Sequence, residues 1–250
     1  MRGKGKNTGR DAPSRYRPCD MELSGIVKTS LIDFPGTIAS VVFCQGCNYS
    51  CFYCHNRALL PKKRGTLKTD QILSFLSARR GLVEGIVVSG GEPTQQDDLA
   101  IFITEIREMG FKIKLDTNGS NPLMLSDLLK TRLIDYVAMD IKAPWHRYAE
   151  LCGPKADPRL VEESLKRLAG SYVPWEARTT LAPGISKDDL MIIAETLPQA
   201  TRWRLNLYKK PTFFDARDQE RVRGFAAAEK DIPIWKDILK REYPLLRYED

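Results

Sequence analysis

Short β-branched and apolar runs alternate with segments of helical periodicity along most of this chain, and that alternation limits the folds open to it. Residues 38–43 (IASVVF), 85–89 (GIVVS), 112–116 (KIKLD), 136–141 (YVAMDI), 175–181 (WEARTTL) and 202–208 (RWRLNLY) read as strands. Between them, 69–79, 99–109, 123–133, 158–169 and 187–197 read as helices. In the first of these, Ile72, Leu73 and Leu76 share one face, with Thr69 or Asp70 as the cap. A last helix is expected over 216–229, followed by a Pro-bounded segment. Strand and helix in strict turn imply parallel strands joined by crossover helices. Six such units are too few to close an eight-stranded barrel. An α/β fold follows, either an open partial (β/α)6 barrel of the TIM type or a doubly wound sheet. Periodicity alone does not separate the two.

The chain has 250 residues, 42% of them apolar, enough to bury a proper core. No run of about 18 apolar residues occurs, so no membrane partner is expected. The first residues carry charge but no apolar stretch, unlike a secretory signal, and a cytoplasmic location is expected. Of the net charge of +7, residues 1–20 supply four, from six Lys/Arg against two Asp. They read as a basic disordered tail, and residues 21–250 as the folded domain. The remainder is too nearly balanced for the broad basic face that nucleic-acid binding asks for, so no nucleic acid is expected.

Cys44, Cys47, Cys51 and Cys54 fall within eleven residues, directly after the first strand. Without a signal peptide, a metal or cluster explains them better than a disulfide framework. Zinc sites pair two C-x2-C knuckles across about 12 or more residues; here the gap is three. Cys47, Cys51 and Cys54, spaced C-x3-C-x2-C, instead suit an iron–sulfur cube with three thiolate ligands and one iron left open.

This spacing, with Tyr53 before the last cysteine, resembles the signature of the radical S-adenosylmethionine (SAM) superfamily. The string QGCNYSCFYCHN, the stretch 25–43 (GIVKTSLIDFPGTIASVVF) and DIKAP before Tyr148 resemble the activating enzymes of glycyl-radical enzymes. The nearest resemblance is to activators of anaerobic ribonucleoside-triphosphate reductase. It implies one [4Fe–4S] cluster on Cys47, Cys51 and Cys54, with SAM as the second cofactor. It implies a radical SAM oxidoreductase that cleaves SAM reductively and places a glycyl radical on a partner protein, with no acid–base residue for the abstraction. An alternative is a radical SAM enzyme acting on a small molecule, as a deazapurine synthase does. No cysteine lies between Cys54 and Cys152, so no further cluster is implied, and flavodoxin or ferredoxin would supply the electron. Cys44 departs from the pattern and reads as a stray thiol.

In a parallel βα architecture reactive residues gather at the strand C-terminal ends. The second strand ends in Gly90-Gly91-Glu92-Pro93, which resembles the motif holding the SAM amino group. The resemblance assigns Asp116, Thr117, Asp140 and Lys142 to SAM or the substrate region, with Lys142 suited to the methionine carboxylate. Arg178 is a further candidate, as are Asn206 and Tyr208. His55 reads as a neighbour of the cluster, His146 and Cys152 as structural or surface residues. The run Lys62-Lys63-Arg64 reads as a solvated loop or a contact for an acidic partner. Polar groups at successive strand ends favour the barrel over the doubly wound sheet.

Overall fold

The computed structural model describes residues 19–199, 201–224 and 231–249. β1 (Leu23–Ser30) and β2 (Ala39–Cys44) form an antiparallel pair. The chain continues through α1 (Thr69–Ser77), β3 (Gly85–Gly90), α2 (Leu99–Glu108), β4 (Lys112–Thr117), α3 (Pro122–Lys130) and β5 (Tyr136–Asp140). After β5 come α4 (Tyr148–Cys152), α5 (Pro158–Ala169), β6 (Trp175–Leu181), α6 (Lys187–Thr196), β7 (Arg202–Leu207), α7 (Gln219–Arg223), α8 (Asp231–Glu242) and β8 (Arg247–Glu249). The sheet runs β1 to β8 in chain order, parallel from β2 onward. β1 and β8 are its edges, so the barrel is open.

The six expected strands are β2–β7. β1 and β8 escape periodicity for a reason shared by edge strands. They bury less, so their apolar pattern is weak. β1 carries Gly25 and two register shifts, and β8 is three residues long. Lys68, not Thr69 or Asp70, caps α1. The Thr69 hydroxyl instead accepts from the Met21 N–H at 2.9 Å, tying the helix start to the chain entering β1. The expected helix over 216–229 begins as a 3-10 turn, Ala216–Asp218, and α7; its part from 225 lies outside the described residues. Pro233 does not break the chain. It lies in the first turn of α8, where a missing N–H leaves no helical bond unmade. The expected basic tail lies, as far as residue 18, outside the described residues.

Alternation along each strand sorts the side chains. Val42, Ile86, Val88, Ile113, Leu115, Val137 and Met139 face the helices in the main core. The opposite, concave face is apolar only at its lower end, where Phe34 from the β1–β2 loop packs with Ala39, Val41, Val87 and Tyr136. Toward the strand C-termini it turns polar. Among the described residues no helix is long and apolar enough to cross a membrane.

Candidate active site

The loop after β2 is held by its own backbone. Gly46 N–H donates to Leu59 O at 2.8 Å and Cys47 N–H to Leu60 O at 3.1 Å. Arg57 donates to the carbonyls of Cys51 (3.2 Å) and Phe52 (3.1 Å) and pairs with Asp215 at 2.6 Å. The end of β3 runs against this loop. Gly91 N–H donates to Cys44 O and Glu92 N–H to Gly46 O, both at 2.9 Å. Gly90 has φ +120°, and a Cβ on either glycine would collide with backbone atoms of Cys44 or Gly46. The glycine pair is therefore demanded by backbone packing as well as by any ligand.

A cavity of about 380 Å³ opens at the strand C-termini, a usual size for a small-molecule site. Cys47, Cys51, Cys54, Gly90, Gly91, Glu92, Asp116, Thr117, Asp140, Lys142 and Arg178 all line it. Tyr208 and the exposed His55 line it too; Asn206, His146, Cys44 and Cys152 do not. Cys44 is fully buried in the main core, as strand alternation dictates for the neighbour of the inward-facing Phe43. Burial, then Glu92, pushes the Cys47 thiol up to about 12.

Glu92 is buried, and its two oxygens are used unequally. One accepts from the Thr94 N–H (3.1 Å), the Thr94 hydroxyl (2.5 Å) and the Thr117 hydroxyl (2.7 Å). Among the described residues the other accepts only the Asn118 N–H at 2.7 Å, which leaves it an acceptor site. Burial raises its carboxyl, and the hydrogen bonds offset only part of that rise.

Parallel register makes a buried ionic network beside it. Asp140 stands level with Arg178, whose Nε donates to it at 3.2 Å while Nη1 reaches Asp116 at 3.2 Å. Lys114 also pairs with Asp116, and Ser89 Oγ donates to it at 3.0 Å. Burial alone would raise both carboxyls; Arg178 and Lys114 outweigh it at Asp116, Lys142 and Arg178 at Asp140, and both lie below the usual range. Lys142 Nζ donates to Asp140 at 2.9 Å, leaving two of its three protons for the cavity.

Three features went unforeseen. Lys114 shares a strand face with Asp116, the two-residue spacing that pairs Asp140 with Lys142, and the signal was available there. Among the described residues the hydroxyls of Tyr49 and Tyr53 are buried without a hydrogen-bond partner, although both residues line the cavity. Cys152, at the end of α4, is buried with its thiol beside Cys51, and its carbonyl accepts from Ser50 N–H at 2.9 Å.

These features fit an iron–sulfur cube with an organic cofactor. Three soft donors share one cavity wall, and Glu92 and Lys142 line the same space.

A family model described as the radical SAM superfamily matches residues 41–197. A protein of Methanocaldococcus jannaschii, provisionally named a glycyl-radical enzyme activating enzyme, is 36% identical over 208 residues, 79% of this chain and 83% of its own. The pyruvate formate-lyase-activating enzyme of Clostridium pasteurianum is 32% identical over 126 residues, 48% of this chain and 52% of its own. SAM-bound SuiB of Streptococcus suis superposes with a TM-score of 0.58 at 16% identity, over 82% of this chain. This chain spans about half the SuiB length (48%). QueE of Escherichia coli superposes with a TM-score of 0.52 at 12% identity, over 92% of this chain and 94% of its own. The last two are likenesses of fold alone. The chain belongs to the radical SAM superfamily, enzymes that work with a [4Fe–4S] cluster and SAM. Within it, its family is that of the glycyl-radical enzyme activating enzymes.

Proposed function

We propose that the protein binds one [4Fe–4S] cluster through Cys47, Cys51 and Cys54 and SAM beside it, and installs a glycyl radical on a partner enzyme. The observation that carries this reading is the single cavity, in which three motif cysteines share the lining with Glu92, Lys142 and a braced ionic wall. When bound, the cluster and SAM supply one-electron chemistry able to take a hydrogen atom from a glycine Cα.

The residues bind and orient. The free acceptor site on Glu92 suits an ammonium group, and the spare protons of Lys142 suit a carboxylate. Asp116, Asp140 and Arg178 hold one another, so the wall behind the ligand stays rigid. No side chain is asked to move a proton in the abstraction. The protein substrate we favour is anaerobic ribonucleoside-triphosphate reductase, on the QGCNYSCFYCHN and DIKAP strings, with flavodoxin or ferredoxin as electron donor. Residues 21–250 act as the catalytic domain in this reading. A small-molecule substrate is the second reading, favoured by the fold likeness to QueE over nearly the whole of both chains.

The test is anaerobic. Reconstituted protein with dithionite and SAM should release methionine, and should raise an organic radical on the reductase, seen by electron spin resonance. Cys47→Ala, Cys51→Ala and Cys54→Ala should each abolish SAM cleavage, while Cys44→Ala should keep it and its iron. Cleavage surviving in any of the first three sinks the cluster assignment. A radical-free reductase alongside normal SAM cleavage would turn the choice toward the small-molecule reading.

A further inference from the structure

The proposed chemistry needs one electron from outside the chain. Cys47 lines two hollows. One is the cavity; the other is a groove of about 670 Å³ on the outer side of the cysteine loop, shared with Tyr49, Leu60, Phe213 and Phe214. Phe213 is 75% exposed there, a large ring with nothing covering it among the described residues.

The rim of the groove is cationic. Lys155 lies in its wall. Lys210 Nζ stands 5.8 Å from the ring centre of Phe214. Lys62, after the groove residue Pro61, lines a neighbouring hollow instead, together with Asp20, Glu22, Asp97 and Asp98. Lys155 and Lys210 are exposed and make no ion pair among the described residues. The groove's own carboxylate, Asp215, is taken up by Arg57 at 2.6 Å. Two lysines without an ion pair among the described residues thus flank a groove that holds Leu60, Phe213 and Phe214 and whose far wall is a motif cysteine.

We infer that this groove is the docking surface of an acidic one-electron carrier protein, which delivers its electron to the cluster through Cys47; the inference rests on the functional reading above. Electron tunnelling falls steeply with distance, so the carrier must dock where the cluster lies nearest the surface. The apolar floor with Phe213 suits the exposed edge of a flavin or a small cluster, and the lysine rim suits acidic residues around that edge. One electron leaves the reduced carrier and enters the cluster; no bond or proton changes place. The cavity side of the loop is left free for the substrate protein.

The test uses the full chain and a bacterial flavodoxin of strongly negative net charge. Lys155→Glu/Lys210→Glu should weaken flavodoxin binding, followed by fluorescence anisotropy with and without the cluster, about tenfold or more at low salt. Reduction of the cluster by flavodoxin hydroquinone should slow in proportion and lose its salt dependence. Reduction by dithionite, which needs no docking surface, should keep its rate, and the double Gln variant should fall between. Unchanged flavodoxin binding and reduction would overturn the inference. So would an equal loss with dithionite, which would make the lysines supports of the loop. Unchanged flavodoxin binding with impaired radical transfer to the reductase would give the groove to the substrate protein and overturn it too. Failure of the functional reading looks different: wild-type protein would then take up no electron from either reductant.

Discussion

Lys114 shows how a single position can be polar, buried and necessary. It is 1% exposed on the concave face of β4, level with Val87 and Tyr136. Its ammonium has Asp116 as its ion-pair partner. Replacing it by Met would leave Asp116 buried with Arg178 and Ser89 alone, a broken buried pair. Lys114→Met should lose about 3 kcal/mol in urea unfolding. An unchanged unfolding midpoint would show that the pair contributes nothing net. Cys44 and Cys47 make the complementary point. Both are cysteines of one short segment, yet strand alternation turns Cys44 into the core while the loop brings Cys47 to the cavity.

At the level of elements, the site depends on strand ends meeting a loop. β2–β6 were legible because they are buried along most of their length, β7 because apolar Trp203 and Leu205 alternate with polar residues. The edge strands were not, since an edge needs little apolar pattern. The GGEP turn is the sharpest case. In sequence it resembles a ligand motif; in the fold it is also a backbone joint, because Gly91 and Glu92 donate to Cys44 and Gly46. Gly91→Ala would push a methyl group into the Gly46 carbonyl, which is backbone and cannot swing aside. The variant should keep its far-UV circular dichroism but lose most of its reconstituted iron. Full iron content would show that the loop can yield without harm to the cysteines.

For the whole molecule, the open barrel sets both electrostatics and access. Its concave face sets Lys142 and Arg178 with Asp116 and Asp140, all half-buried, along the cavity, with Lys114 buried behind them. Asp116 and Asp140 titrate below their unfolded values in the folded protein. Their contribution to stability is therefore complete above the unfolded carboxylate range and is lost as pH falls through the lowered folded values. Glu92, with a raised value, has the opposite slope: it takes up a proton on folding and costs stability as pH rises through its range. Urea unfolding between pH 3 and 7 should show stability dropping below about pH 4, once the aspartates begin to protonate. Stability at pH 3 equal to that at pH 7 would refute the network as an acid-sensitive element. Asp140→Asn, although less stable at pH 7, should show a shallower drop.

The sequence by itself determined the class of fold and marked groups that line the cavity, because strand periodicity, three clustered thiols and charges two residues apart are local properties that survive without neighbours. The three cysteines expected to hold the cluster and the residues from Gly90 to Arg178 expected to hold SAM all line the cavity. Tertiary structure alone decided how those groups are engaged. The register of β5 against β6 sets Asp140 against Arg178, and the loop crossing β3 leaves one Glu92 oxygen partly free. The packing of α4 brings Cys152 to Cys51, and the meeting of residues 57–61 with 213–215 gives Cys47 a second, outward face. Each of these depends on segments tens to more than a hundred residues apart, and no local pattern encodes their meeting.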